Sequence, residues 1–374
     1  KRGEKSANAK AARKKGKTCL PIDNTEILTK SGWKTYSEIS IGDDVLSMNT
    51  ETGKTELCKV LDTVEFKDSE ITKMNNFNWA LESTPDHRWY TAHRTGRAHT
   101  RRIENKYVTT NNLTTAHNII STGEYVGGDS GVAVEDARLL GWILADGYFS
   151  VAELTGKTSQ GLDGRRQSVK MSLAQSESKY LSEVESSISA CGLSYNKYLN
   201  NSNVWVFQFA QAEARDFIKK LGLPLKSKHG IDYTSFMLGL SKEALEAFFD
   251  AFWKADGNTA VSGGLSKSKI IYQNDGNILD AVQLCSELLG MTTIKCHRKD
   301  TENFHTLRCK ATNEMGMQRT KYEYSRHTDV FCLTTENGNF FIRQGNVMTL
   351  TGNCNYASVY NAGAAKIAQA AGVS

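Results

Sequence analysis

Three constellations in this 374-residue chain place nucleophiles, amides and carboxylates where they can do chemistry. The first pairs Cys19 near one end with Asn353-Cys354 near the other. A cysteine thiol is appreciably ionised near neutral pH and intrinsically nucleophilic, so Cys19 can attack the neighbouring Thr18 carbonyl and Cys354 can take over an acyl group. An Asn just before a scissile bond can turn its side-chain amide on its own carbonyl carbon and close a five-membered imide. The second is Thr84-Pro85-Asp86-His87, a hydroxyl and an imidazole three positions apart. The third is a repeated run, Leu139-Leu140-Gly141-Trp142-Ile143-Leu144-Ala145-Asp146-Gly147 and Phe249-Asp250-Ala251-Phe252-Trp253-Lys254-Ala255-Asp256-Gly257. Gly141 with Ala145, and Ala251 with Ala255, stand four apart on one face of a helix, so two such helices can approach closely. Gly147 and Gly257 are expected as C-capping glycines. Asp146 and Asp256 then point toward each other from the helix ends. Paired carboxylates suit Mg2+ in an oxygen-ligand site, where a metal-activated water can attack a phosphodiester.

The elements that must hold these groups change along the chain. From Cys19 to about Val126 short β-like stretches recur (Thr25–Leu28, Val45–Met48, Glu56–Val64, Trp79–Leu81), separated by turn signals such as Gly42-Asp43-Asp44. Gly127-Gly128-Asp129-Ser130-Gly131 reads as a flexible junction. Helical periods follow at Glu135–Leu144, Glu177–Cys191, Gln211–Leu221, Lys242–Ala255 and Asn277–Leu289, with strands such as Ser168–Leu173 and Val204–Phe209 between them, an order that suggests internal duplication. From about Lys321 the β-like pattern returns at Val330–Thr335, Phe340–Arg343 and Asn346–Leu350. Residues 1–18 and Tyr356–Ala371 are helical in composition. His93, His99 and His117 read as loop residues.

Bulk properties exclude more than they indicate. The formal net charge of +5 does not argue for nucleic acid: the first 18 residues hold eight Lys and Arg against Glu4 alone, and residues 19–353 hold 37 basic against 40 acidic side chains. No apolar run of eighteen residues and no secretory h-region is present, so neither a membrane span nor export is expected. The eight cysteines lack CxxC spacing, which points to free thiols and a cytoplasmic setting.

Cys19-Leu20-Pro21 through Gly42-Asp43-Asp44-Val45-Leu46, then Thr84-Pro85-Asp86-His87, then Val330-Phe331-Cys332-Leu333-Thr334 through Asn353-Cys354 resemble, in order, the conserved blocks of inteins, the protein-splicing elements. The resemblance covers residues 19–353 and implies an all-β, horseshoe-like Hint domain. It also implies a cofactor-free sequence: Cys19 forms a thioester with Thr18, with Thr84 and His87 assisting; Cys354 accepts the acyl group; Asn353 cyclises; Thr18 and Cys354 are ligated. Two places depart from the family pattern. Gly352 stands where many inteins have His, and Cys332 with Gly338 or Asn339 occupies places often held by Asp and His. Cleavage without ligation, as in the related Hedgehog-type modules, is the competing expectation.

The repeated Ala-Asp-Gly runs resemble the LAGLIDADG motif of homing endonucleases. That implies an α+β, pseudo-twofold, monomeric insert that cuts a long double-stranded DNA site in the intein-free gene, with two saddle-like sheets in the major groove. Arg165, Arg166, Lys170, Lys267 and Lys269 are the expected DNA-facing residues, and Lys228 is the candidate for the loop lysine that aids the active site. A decayed nuclease that only binds DNA is the alternative. Joining Thr18 to Cys354 places Arg13, Lys17, Tyr356 and Tyr360 every four residues, which resembles the fingers helix of family A DNA polymerases and implies contacts to an incoming nucleotide. The expected organisation is thus a polymerase flank (1–18), a first Hint segment (19–130), an endonuclease (131–320), a second Hint segment (321–353) and a second flank (354–374).

Overall fold

The computed structural model describes residues 19–96, 102–157, 163–177, 179–262, 266–297 and 304–353. The protein is mostly β, with antiparallel sheets and a few helices, and it divides into two compact units.

The first unit comprises, among the described residues, 19–125, 290–294 and 311–353. Its frame is a ten-stranded sheet built on one long antiparallel ribbon: the strand Lys54–Asn75 pairs with Lys321–Thr335 from Lys321↔Asn75 to Thr335↔Val60. Leu20–Pro21 adds to one side of that ribbon through Leu20↔Phe331 and Pro21↔Val330. On the other side lie Asp44–Asn49, Glu26–Thr29, Asn339–Gln344 and Val347–Gly352 in that order. Val347–Gly352 is buried along its whole length, and its run of Val, Met, Leu and Thr suits a strand covered on both faces. A second, four-stranded sheet carries Arg88–Thr95 beside Arg102–Thr109 and His117–Ile120. His93 and His117 are therefore strand residues, stacked 4.5 Å apart, and not loop residues. The strand that follows Cys19 and the strand that precedes Asn353 thus belong to one sheet.

The second unit holds residues 126–289 and 295–310. Its helices are α1 (Val134–Asp146), α2 (Leu181–Ala190), α3 (Gln211–Lys220), α4 (Thr234–Gly239), α5 (Lys242–Asp256) and α6 (Gly276–Leu288). Ser241 caps α5 by accepting from the Ala244 amide, and Asp275 caps α6 by accepting from the Ile278 amide. Two four-stranded sheets repeat one topology. Gly147–Lys157, Asp163–Gln175, Trp205–Phe209 and Tyr195–Leu199 form one; Gly257–Ser262, Ser266–Tyr272, Phe304–Lys310 and Thr292–His297 form the other. In each, a helix ending in Asp runs directly into the first strand.

Two expectations need correction here. The Gly127–Gly131 run is not loose: the Gly128 and Ser130 amides donate to the Leu240 and Gly239 carbonyls at 2.8 and 3.0 Å, and a Cβ on Gly128 would lie 2.4 Å from the Gly239 backbone. The helix expected from Glu177 begins only at Leu181, after a turn in which the Lys179 amide reaches the Ser176 carbonyl.

Candidate functional site

At the first junction, Cys19 is fully buried at the start of its strand and Thr84 lies against it. The Cys19 amide donates to Thr84 Oγ1 at 2.9 Å, and the Thr84 hydroxyl and amide donate to the Cys19 carbonyl at 3.2 and 2.9 Å. The Thr84 hydroxyl thus grips the nitrogen that would leave if the Thr18–Cys19 bond were broken. The Pro85-Asp86 turn brings His87 back, with its amide donating to the Thr84 carbonyl at 3.0 Å. The His87 ring is fully buried, stands edge-on to Trp89 with ring centres 4.9 Å apart, and touches Thr351 Oγ1 through Nε2. His87 thus lies between the turn that carries Thr84 and the strand Val347–Gly352 that precedes Asn353.

At the second junction Asn353 is 6% exposed. Its amide donates to the Gly338 carbonyl at 2.9 Å, its Nδ2 donates to the Thr335 carbonyl at 3.1 Å, and its Oδ1 accepts from Thr335 Oγ1 at 3.3 Å. Gly352 leaves no room for a side chain, since a Cβ there would sit 2.8 Å from the Arg88 carbonyl and 3.0 Å from the Tyr107 ring. A histidine therefore could not occupy that position in this packing. Asn339 is committed to structure: its Oδ1 accepts from the Met48 amide at 2.7 Å and its Nδ2 donates to the Met48 carbonyl at 2.8 Å. Cys332 packs with Cys19, Ile71 and Val330 in one buried cluster.

In the second unit, α1 and α5 pack against each other at the expected glycine. A Cβ on Gly141 would meet the Phe248 carbonyl oxygen at 2.5 Å and Ala251 Cβ at 3.1 Å. Gly147 and Gly257 are extended, with φ of −101° and −104°, and not left-handed caps. They are glycines for want of space, because a Cβ would come within 2.5 Å of the Ile143 carbonyl and 2.3 Å of the Trp253 carbonyl. The carboxylates they follow interact. Burial, and then the charge of Asp146, push Asp256 up to about 6. Burial also raises Asp146, against the hydrogen bond from Gln175.

The repeat extends to groups that sequence reasoning missed. Gln175 Nε2 donates to Asp146 Oδ2 and Gln273 Nε2 donates to Asp256 Oδ2, each at 3.2 Å. Each glutamine sits at or just past the end of the second strand of its sheet. The signal was present as a polar residue closing each hairpin. Lys228, in a short 3-10 turn, is buried; its Nζ donates to the Leu144 and Gly147 carbonyls at 3.0 and 2.7 Å. Burial lowers its pKa, while Asp256, Asp275 and Asp146 oppose that shift.

The other candidate residues are spread out. Lys170 is exposed on the strand Asp163–Gln175, opposite Ser150. The Lys269 ammonium lies 4.4 Å from the Trp253 ring centre and 4.8 Å from that of Phe249, so it is committed to the aromatic face of α5. Arg165, Arg166 and Lys267 lie on hairpin strands, with their side chains outside the described part. Cys354, Arg13, Lys17, Tyr356 and Tyr360, like His99, lie outside the described residues. No helix among the described residues is long and apolar enough to cross a membrane.

No family model matches the chain, and no curated protein matches it. Among solved structures it is similar to a mesophilic variant of the homing endonuclease I-DmoI, at 14% identity over 48% of this chain and 89% of that one, with a TM-score of 0.33. It is similar to the bacterial intein-like domain from Clostridium thermocellum, at 21% identity over 28% of this chain and 67% of that one, with a TM-score of 0.22. It is also similar to a mutant Ssp DnaB mini-intein, at 7% identity over 90% of this chain and 98% of that one, with a TM-score of 0.29. Likenesses this loose decide nothing about function, and the side-chain geometry must carry it.

Proposed function

We propose that residues 19–353 are an autocatalytic protein-splicing element of the intein type, carrying a LAGLIDADG-type DNA endonuclease. The observation that carries the splicing reading is the two-sided clasp of Cys19 by Thr84, with His87 bonded by its amide to the Thr84 carbonyl and by its ring to Thr351, two residues before Asn353. The Cys19 thiol adds to the Thr18 carbonyl carbon and the Thr18–Cys19 bond breaks. His87 supplies the proton to the departing Cys19 nitrogen, whose amide the Thr84 hydroxyl has already oriented. The acyl group passes to the Cys354 thiol, Asn353 cyclises, and the Cys354 amine takes the acyl group from its own sulfur to restore a peptide bond.

For the insert, Asp146 and Asp256 would hold Mg2+ or a similar divalent cation. Two mutually repelling carboxylates, both raised by burial, fit such an ion, with phosphate oxygens and water completing the shell. When bound, the metal would supply an activated water and neutralise charge on the phosphodiester. Gln175 and Gln273 orient the two carboxylates; Lys228 ties the end of α1 beneath them. The substrate is double-stranded DNA, recognised across the two repeated sheets. The flanks are read as the two halves of a polymerase fingers helix, in which Arg13, Lys17, Tyr356 and Tyr360 align only after residues 19–353 are removed.

Single substitutions test both parts. Cys19→Ala should block cleavage at the first junction, and Asn353→Ala should block it at the second. Asp146→Ala should abolish metal-dependent cutting of the intein-free gene without stopping splicing. Retained cutting by Asp146→Ala, or ligation by Cys19→Ala, would refute the corresponding assignment.

A further inference from the structure

We propose that Thr335 is a catalytic residue for cleavage of the Asn353–Cys354 bond, gripping the Asn353 side-chain amide at its nitrogen and at its oxygen so that Nδ2 is held for attack. The inference deepens the splicing reading above and rests on it. Asn353 Nδ2 donates to the Thr335 carbonyl at 3.1 Å, and Thr335 Oγ1 donates to Asn353 Oδ1 at 3.3 Å. A carbonyl can only accept and a hydroxyl has a proton to give, so the pair fixes which end of the amide is nitrogen. Nδ2 is the atom that must reach the Asn353 carbonyl carbon. An amide free to turn about its side-chain bonds gives up that freedom on the way to the transition state, whereas an amide already gripped has given it up beforehand.

The chain around Thr335 is built to hold that grip. The ribbon of Lys54–Asn75 with Lys321–Thr335 shifts register between Thr334 and Thr335. The chain leaves it in a tight turn, closed by the Gly338 amide donating to the same Thr335 carbonyl at 3.2 Å. Gly338 takes a φ of 73°, a conformation that favours glycine. Its carbonyl accepts the Asn353 amide at 2.9 Å, so one turn holds Asn353 by its backbone and by both ends of its side chain. The Thr335 hydroxyl has a second acceptor, the Asn339 carbonyl at 2.7 Å. That carbonyl also accepts from Ser47 Oγ at 2.9 Å, and the Met48 amide serves Asn339 Oδ1 at 2.7 Å. The packing around Asn339 therefore does not depend on the Thr335 proton, which can turn to Asn353 Oδ1.

In the step itself, a bond forms between Nδ2 and the Asn353 carbonyl carbon, and the bond from that carbon to the Cys354 nitrogen breaks. The electron pair of the broken bond stays on the Cys354 nitrogen. That nitrogen gains the proton Nδ2 gives up, leaving an imide on one product and a free amine on the other. Oδ1 becomes one of the two imide oxygens, so the Thr335 hydroxyl keeps its acceptor from reactant to product and transfers no proton. Thr335 and Asn353 are both buried, and a hydrogen bond in such surroundings holds its partner more firmly than one exposed to water. No cofactor or oxidant enters.

Thr335→Val, Thr335→Ser and Ser47→Ala in the full chain separate this role from a structural one. Thiol-induced cleavage before Cys19 reports the first junction, and mass spectrometry of released 354–374 and of the imide-ended product reports the second. Thr335→Val removes the hydroxyl and is expected to slow release at the second junction by about 10-fold or more, while thiol cleavage before Cys19 stays within about threefold of the parent chain. Thr335→Ser keeps the hydroxyl and should release within about threefold of the parent. Ser47→Ala takes the other donor from the Asn339 carbonyl, and its release should also stay within about threefold. Unchanged release in Thr335→Val would overturn the proposal. So would an equal loss in Thr335→Val and Ser47→Ala, or an equal loss at both junctions, either of which would mark the hydroxyl as a structural support. A parent chain that cleaves at neither junction would sink the splicing reading itself, and the proposal with it.

Discussion

Asp256→Asn should make the second unit more stable at pH 7.5 while destroying its nuclease activity. Asp256 ends α5 half-buried, facing Asp146, with its carboxyl raised from 3.8 to about 6. Well below 3.8 the group is protonated in both folded and unfolded chains and contributes nothing. As pH rises from about 4 to about 6 the unfolded chain ionises first, so stability falls, and above the folded value the full cost persists. A shift of that size costs up to about 3 kcal/mol. Residual contact with water brings the expected cost to about 1–2 kcal/mol. Asparagine removes the charge and keeps an oxygen for Gln273. The assay is urea-dependent hydrogen exchange of the α1 and α5 amides in EDTA, on a chain kept intact by Cys19→Ala and Asn353→Ala. The gain should appear in full at pH 7.5 and shrink to a small remainder at pH 4. An equal gain at both pH values, or none at pH 7.5, would refute the electrostatic argument.

Two further tests address packing and thiol chemistry. Gly141→Ala must push α1 from α5 because its Cβ would lie 2.5 Å from the Phe248 carbonyl oxygen. Overpacking of this kind costs about 1–3 kcal/mol, partly offset by about 1 kcal/mol of helix propensity, so α1 and α5 should lose exchange protection without any loss of splicing. Cys19 falls opposite Cys332 in the register set by Leu20↔Phe331, and the Ile22 amide bonding the Asp329 carbonyl makes 19/332 a non-hydrogen-bonded pair, the closer of the two kinds. That spacing admits a disulfide. A disulfide oxidant should therefore link Cys19 to Cys332 and arrest the first junction, reversibly on reduction, and peptide mapping that finds both thiols free after oxidation would contradict the register argument.

The regular elements were legible where periodicity was strong. α3, α5 and α6 begin and end within a residue or two of the sequence reading because apolar spacing and the polar caps Ser241 and Asp275 mark them. The 22-residue strand Lys54–Asn75 was seen only as Glu56–Val64, since its distal half is broken by the polar run Lys67-Asp68-Ser69-Glu70, with Asp68 at a φ of 49°, and is recognisable as a strand only once paired with Lys321–Thr335. The junction residues, and Thr84 and His87 beside the first of them, could be named from the sequence, but not the partners of Asn353. Arg88 and Thr335 reach Asn353 across 265 and 18 positions, and such pairs follow from topology alone. Gly147 and Gly257 do cap α1 and α5 as the sequence suggests, but in extended geometry, and sequence does not reveal whether a capping glycine serves a backbone angle or a lack of space.

Self-excision is tested most directly by the intact masses of the products from the freshly purified chain under reducing conditions. The expected result is residues 19–353 with an imide or hydrolysed Asn terminus, together with one peptide in which Thr18 is joined to Cys354. Separate peptides 1–18 and 354–374 with no joined product would show cleavage without ligation, and a chain of unchanged mass after prolonged incubation would contradict the account outright.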